Sequence, residues 1–209
     1  MTRTLLALLL VALPVLSAGQ SDTRIRKPEI RIGDSWTYRG TNILGPGIFE
    51  HESRVSFVDD DKVILLVSTR KGDGKEFDSS WTSEWNAVTS YTGSYFRPHT
   101  GFLRFPLRIG DTHELKYEFL RPRVNTILAS ATGTSKVVGW DMVEVPAGTF
   151  RAIKVEFEVE VKATDGSWAY KALGTIWYEP EVRRWVKFQT VSPNVKSSEE
   201  LLAYKLNEN

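Results

Sequence analysis

Carboxylates are the first residues in this chain that could do chemistry. Glu156, Glu158 and Glu160 stand at alternate positions. In an extended chain, alternate side chains share a face and lie roughly 7 Å apart. A pair of carboxylates at such a distance can cleave a glycosidic bond, one as acid and the other as base or nucleophile. Lys154, Lys162 and Lys171 fall among them, so a solvated, charge-paired face is the expected role. Asp59, Asp60 and Asp61 offer oxygen ligands, but the alternating ligands and closing Glu of a calcium loop are missing, and a hairpin turn is expected there. His51, His99 and His113 include no pair at a metal-binding spacing such as His-x-x-x-His. A Ser-His-Asp triad has no Gly-x-Ser-x-Gly elbow to support it. No catalytic residue, metal ligand or cofactor is assigned from these patterns.

The aromatic residues are a second set. Trp81, Trp85, Tyr91, Tyr95, Phe96 and Phe102 fall between residues 81 and 102. Leu173 and Trp177 stand on an otherwise charged strand face, and an apolar group there asks for a cover. Trp81, Trp85, Tyr95, Phe96, Leu173 and Trp177 are therefore the candidate ligand-binding residues, lining a barrel mouth that could hold a lipid or a sugar ring. The competing expectation is that the irregular segment 86–105 folds over this face and closes it.

The elements that would position these residues are strands. From Ile32 onward, Val/Ile/Thr/aromatic runs alternate with Gly, Pro, Asp and Asn turn signals, and no long 3.6-residue period appears. Asp165-Gly166 predicts a two-residue type I′ hairpin. It sets Val161 opposite Tyr170, Val159 opposite Ala172, Phe157 opposite Gly174 and Val155 opposite Ile176, with Glu160 meeting Lys171 on the other face. Pro146 to Thr149 predicts a four-residue loop, which sets Met142 beside Ile153 and Trp140 beside Val155. A further hairpin joins Arg54–Val58 to Lys62–Thr69, and Phe77, Ser79, Trp81, Ser83 and Trp85 share one face of the next strand. Residues 86–101 read as a loop with short strands. Arg31-Ile32-Gly33-Asp34 recurs as Arg108-Ile109-Gly110-Asp111, each copy marking a turn that starts a strand.

Composition narrows the class. The chain has 209 residues, which suits one domain. A positive start, an apolar run from Leu5 to Leu16 and Ser17-Ala18-Gly19 form the layout of a secretory signal over residues 1–19. A polar lead-in, 20–30, then precedes a single domain, 31–207, in the periplasm or outside the cell. With no Cys, disulfides, thiolate metal sites and a lipid-anchored N-terminus are not expected. The 27 basic and 26 acidic residues include only Arg3 in the signal, so the mature charge is near zero. Nucleic-acid binding is not expected, since no basic stripe is present. No membrane span is expected after signal cleavage.

Three segments carry a family likeness: Ile32-Gly33-Asp34-Ser35-Trp36-Thr37-Tyr38; Val145-Pro146-Ala147-Gly148-Thr149-Phe150 with Lys154-Val155; and Trp177-Tyr178 with Pro180 and Val186-Lys187. Their order resembles the TapB-like proteins, related to the bacterial "domain of unknown function 3108" group, over residues 30–190. Such proteins usually carry Gly after the Tyr-x-Pro-x-Val stretch, where this chain has Arg183-Arg184. The resemblance implies an exported antiparallel β fold and brings no activity with it. The expected fold is therefore all-β and antiparallel, a strongly curved sheet or open β-barrel of about nine to eleven strands, with a β-sandwich as the alternative. The expected function is non-enzymatic binding of a lipid or other apolar ligand, or of an envelope protein. The alternatives are an envelope hydrolase acting on glycan and a structural assembly component.

Overall fold

A computed structural model describes residues 24–42, 47–59, 63–90, 93–121 and 126–208. The signal segment, Asp60, Asp61 and Tyr91 lie outside the described residues. The strands are β1 (Ser35–Asn42), β2 (Gly47–Val58), β3 (Val63–Arg70), β4 (Glu76–Thr82), β5 (Ala87–Thr89), β6 (Tyr95–Arg97), β7 (Thr112–Arg121), β8 (Thr126–Val145), β9 (Gly148–Ala163), β10 (Ala169–Glu179), β11 (Arg184–Ser192) and β12 (Val195–Lys205). Each pairs antiparallel with its neighbour in sequence, and β12 pairs with β1, so the sheet closes into an up-and-down barrel. This is the expected all-β antiparallel barrel, with its ring closed and twelve strands where about nine to eleven are expected. The three-residue β5 and β6, inside the stretch read as a loop with short strands, complete the ring.

Alternation decides which way each wall faces. Val155, Phe157, Val159 and Val161 point inward and are 0–4% exposed. Glu156, Glu158 and Glu160 point outward, with ion pairs Lys154–Glu156 at 2.6 Å, Lys171–Glu158 at 2.6 Å and Lys162–Glu160 at 3.1 Å. An apolar interior inside a charged exterior is the reverse of a membrane-spanning barrel, whose outward face carries an apolar band. Among the described residues no helix is long and apolar enough to cross a membrane.

The β9–β10 register is the expected one in every pair, including Glu160 opposite Lys171. The turn differs in kind. Gly166 has φ +72° but Asp165 does not have a positive φ, so the turn is not type I′. Ala163 N–H donates to Trp168 O at 3.0 Å and Gly166 N–H to Ala163 O at 3.0 Å, closing a four-residue loop. Asp165 instead accepts from Ser167 N–H at 3.0 Å, an Asx turn that needs no left-handed aspartate. The favoured ion partner of Lys171 is the diagonal Glu158, not Glu160.

The β8–β9 turn is shorter than expected. Val145 pairs with Gly148, so Met142 faces Arg151 and Trp140 faces Ile153. Met142 is 63% exposed and extends no apolar face. A register shift between Val137 and Gly139 restores the inward set, with Val137 opposite Val155.

The two Arg-Ile-Gly-Asp turns do start strands, and their backbones match. Gly33 and Gly110 have φ +90° and +91°, a region L side chains avoid. Gly33 N–H donates to Val55 O and Gly110 N–H to Val137 O, both at 2.8 Å. Val55 N–H then returns to Asp34 O, and Val137 N–H to Asp111 O, both at 2.9 Å. The lead-in is also anchored: Ile25 forms a two-way bridge with Leu107 and joins the core.

Candidate functional site

The barrel interior is filled on one side and open on the other. Segment 86–105 does fold over a sheet face, but over the inner one. Phe102 stacks on Phe157 at 3.8 Å and 9°, and Leu103 is 1% exposed. It does not cover Leu173 or Trp177, as one expectation had it. These stand on the outer wall, where Leu173 is 48% exposed. Trp177 Nε1 donates to Asp141 at 2.9 Å, while Lys154 and Lys187 lie over its ring at 6.0 and 5.8 Å. Polar side chains supply the cover.

A cavity of about 320 Å³ opens between β1–β6 and β10–β12. Of the six candidate residues, Trp81, Trp85 and Phe96 line it. Tyr95 points outward and is 43% exposed. Residues the sequence reading did not single out complete the lining: His51, Ser53, Ser68, Ser79, Arg184 and Glu199. Strand register ranks them by depth. β1 and β11 begin at the lower end, so Arg184 lies low, beside Trp36 and Trp85. Glu199, opposite Gly40 and Phe188, lies higher. Thr41, Thr190 and Ser197 form the upper rim with Ser90 and Ser94.

The floor is aromatic. Trp36 meets Trp85 edge to face at 5.3 Å, and Trp81 meets Trp185 at 5.4 Å. Trp36 Nε1 donates to Val182 O at 2.9 Å and Trp85 Nε1 to Arg183 O at 2.6 Å, fixing both indoles to the β10–β11 turn. Arg184 is 3% exposed, with its guanidinium carbon 4.2–5.6 Å from the rings of Trp36, Tyr38, Trp81, Trp85 and Trp185. Such contacts stabilise a desolvated cation.

This floor also holds the strained backbone. Among the described residues, Trp85 (φ +60°) and Arg183 (φ +61°) are the non-glycine residues in the left-handed region, and they are bonded to each other. Arg183 occupies the place where the TapB-like pattern has Gly. Its guanidinium reaches Asp34 at 3.2 Å and Asn207 O at 3.3 Å. Asp34 is fully buried and also accepts from Arg31 N–H at 3.0 Å and Asn207 N–H at 2.7 Å. Strain of this sort persists where surrounding contacts hold it, and it gathers at functional sites.

The upper walls divide by chemistry. On β2–β4, Ser53 and Ser68 hydroxyls pair at 2.8 Å, and Ser79 accepts from Trp81 Nε1 at 2.9 Å. Thr190 and Ser197 pair at 2.8 Å across β11 and β12. His51 sits between Tyr38 and Phe49, each ring 5.8 Å away. Burial pulls its imidazole below the ordinary value, Glu199 opposes that and Arg184 adds to it. Burial pushes the Tyr38 hydroxyl up, so it stays protonated and donates to Trp185 O at 2.7 Å. Glu199 is the one carboxylate lining the cavity among the described residues. A glycosidase pair is therefore not assembled there. No group of three or more His, Cys, Asp or Glu is placed to hold a metal ion among the described residues.

No family model matches the chain, so the TapB-like likeness rests on its motifs alone, and no curated protein matches it either. Solved structures of similar shape do exist. A candidate lipoprotein from Parabacteroides distasonis aligns with TM-score 0.56 and 14% identity, covering 87% of this chain and 99% of that one. A candidate exported protein with a YmcC-like fold from Bacteroides fragilis aligns at TM-score 0.45 and 13% identity, covering 87% and 99%. The hypothetical lipoprotein YmcC from Escherichia coli aligns at TM-score 0.45 and 12% identity, covering 81% and 84%. At such identities the first of these similarities speaks for the architecture: the chain has the barrel fold of the Parabacteroides distasonis protein.

Proposed function

We propose that this domain is an exported, non-enzymatic binding module that holds a small molecule inside its barrel. The observation that carries the reading is the cavity itself, of about 320 Å³, partly walled by indoles and phenyl rings in a barrel whose other half is filled. That volume lies at the lower end of small-molecule sites, roughly 300–1,000 Å³. The strained Trp85–Arg183 contact beneath it supports a built floor over a packing defect. The secretory-type start of the sequence supports export, as does the lipoprotein designation of the Parabacteroides distasonis structure. These two points together support an envelope location, periplasmic or secreted.

The test is titration of the folded domain with a neutral apolar fluorophore, N-phenyl-1-naphthylamine. Saturable one-to-one binding is expected. Ala87, 5% exposed, lines the cavity. Ala87→Phe should fill the space and abolish binding, and Thr190→Phe at the rim should block entry. Saturable binding of neither this probe nor any polar small molecule to the wild-type domain would remove the reading.

A further inference from the structure

The cavity reading leaves the chemistry of the occupant open, and the wall narrows it. One side is aromatic and aliphatic: Trp81, Phe96, Phe102, Ile176, Trp185 and Phe188. The polar lining lies on β2–β4 and β12 and includes Ser53, Ser68, Ser79, Ser198 and Glu199, with Phe49 of β2 and Trp81 of β4 beside them. A hydrocarbon chain in this space would lie against several hydroxyls and a carboxylate. Burying polar groups against methylenes is unfavourable unless they are hydrogen-bonded.

Two polar groups of the lining residues, one on each side, are unspent. Trp185 is 4% exposed, and its Nε1 has no hydrogen-bond partner among the described residues. The Ser198 hydroxyl is likewise buried without one. Buried donors are partnered as a rule, and exceptions call for an explanation. Both residues line the cavity, so an occupant with hydrogen-bonding groups along one edge would satisfy them. Charge adds a further limit. Arg184 and Glu199 face the same space, so a bare anion meets a carboxylate and a bare cation meets a guanidinium. A neutral occupant avoids both.

We infer that the cavity receives a neutral saccharide, its carbon-bound hydrogens against the indoles and its hydroxyl edge toward Trp185 Nε1, Ser198 and the β2–β4 serines. A pyranose has these two unlike surfaces, and one or two rings suit the volume. This inference rests on the cavity reading, and the experiment separates the two. Isothermal titration of the folded domain would use neutral hexoses, N-acetylhexosamines and their disaccharides in one arm, with dodecanol and N-phenyl-1-naphthylamine in the other. Saturable saccharide binding is expected, weakened about tenfold in Trp185→Phe, the loss of one neutral hydrogen bond. Ser198→Ala should weaken it severalfold, and it carries the test if Trp185→Phe does not fold. Trp177→Phe on the outer wall should change nothing. Binding of the apolar probes with none of the saccharides at millimolar concentration overturns the inference while the cavity reading stands. Saccharide binding undiminished in both variants overturns the placement. Binding of neither class overturns both readings.

Discussion

The barrel interior has two halves built from the same alternating pattern and put to different use. On β9 the inward positions from Val155 to Val161 hold valine and phenylalanine, and Phe102 from segment 86–105 is laid against Phe157. On β2–β4 the equivalent upper positions hold Ser53, Ser68 and Ser79, 2–3% exposed yet facing a cavity. Small hydroxyl side chains leave volume, and Ser53 with Ser68, and Ser79 with Trp81 Nε1, satisfy their hydrogen bonds, so this stretch can stay open with its hydroxyls partnered. The filled half supplies stability that lets the other half remain hollow. A core packed throughout would gain dispersion contacts and lose the site.

Truncation should separate the halves most sharply. Phe157→Ala removes a ring that is 4% exposed and sandwiched between Phe102 and Gly174, so a loss of about 3–5 kcal/mol is expected in denaturant unfolding. The double change Ser53→Ala with Ser68→Ala deletes both members of a hydroxyl pair, and stability should stay within about 0.5 kcal/mol of wild type. If the serine pair proves as costly as the phenylalanine, the open wall is structural and the division of labour fails.

A smaller effect tests the strained floor beneath the hollow half. Arg183→Ala keeps a side chain at φ +61° and removes a partner of buried Asp34. Arg183→Gly removes the same partner but relieves the left-handed cost, about 1–2 kcal/mol per residue. The glycine variant should therefore be more stable than the alanine variant by about 1 kcal/mol, measured by thermal or urea unfolding. Equal stabilities would mean that the backbone there is unstrained.

Much of the fold was legible in the residues because a period of two leaves few choices. Glu156 to Glu160 had to face away from Val155 to Val161, and cross-strand pairing fixes the β9–β10 register even though Asp165-Gly166 forms a different turn from the type I′ its residues suggest. Turn chemistry is less decisive, since Pro146-Ala147-Gly148 can close a two-residue or a four-residue connection. The cavity was only half legible. Trp81, Trp85 and Phe96 stood out by type, but Leu173 and Trp177 were judged by a face that proves to be the outside. His51 lies far in sequence from Arg184 and Glu199, and only the β1–β12 closure brings it to them. One signal was available: serine at 53 and 79, at strand positions alternating with polar neighbours, where valine would be ordinary.

The gentlest probe of the hollow half is pH. Burial lowers the folded-state pKa of His51 from an ordinary value near 6.5, so the unfolded chain binds the proton more readily. Its contribution to stability is complete above about pH 6.5 and is lost as pH falls from there through the lower folded value. Glu199 acts against this shift and Arg184 with it, and both face the cavity. His99 is lowered as well and would add to the same slope. His51→Gln should flatten the melting temperature between neutral and mildly acid pH, and His99→Gln should remove a separate part of the slope. A slope unchanged by His51→Gln would mean that the imidazole is as well solvated in the cavity as in the unfolded chain, and that the open half is wet enough to screen its own charges.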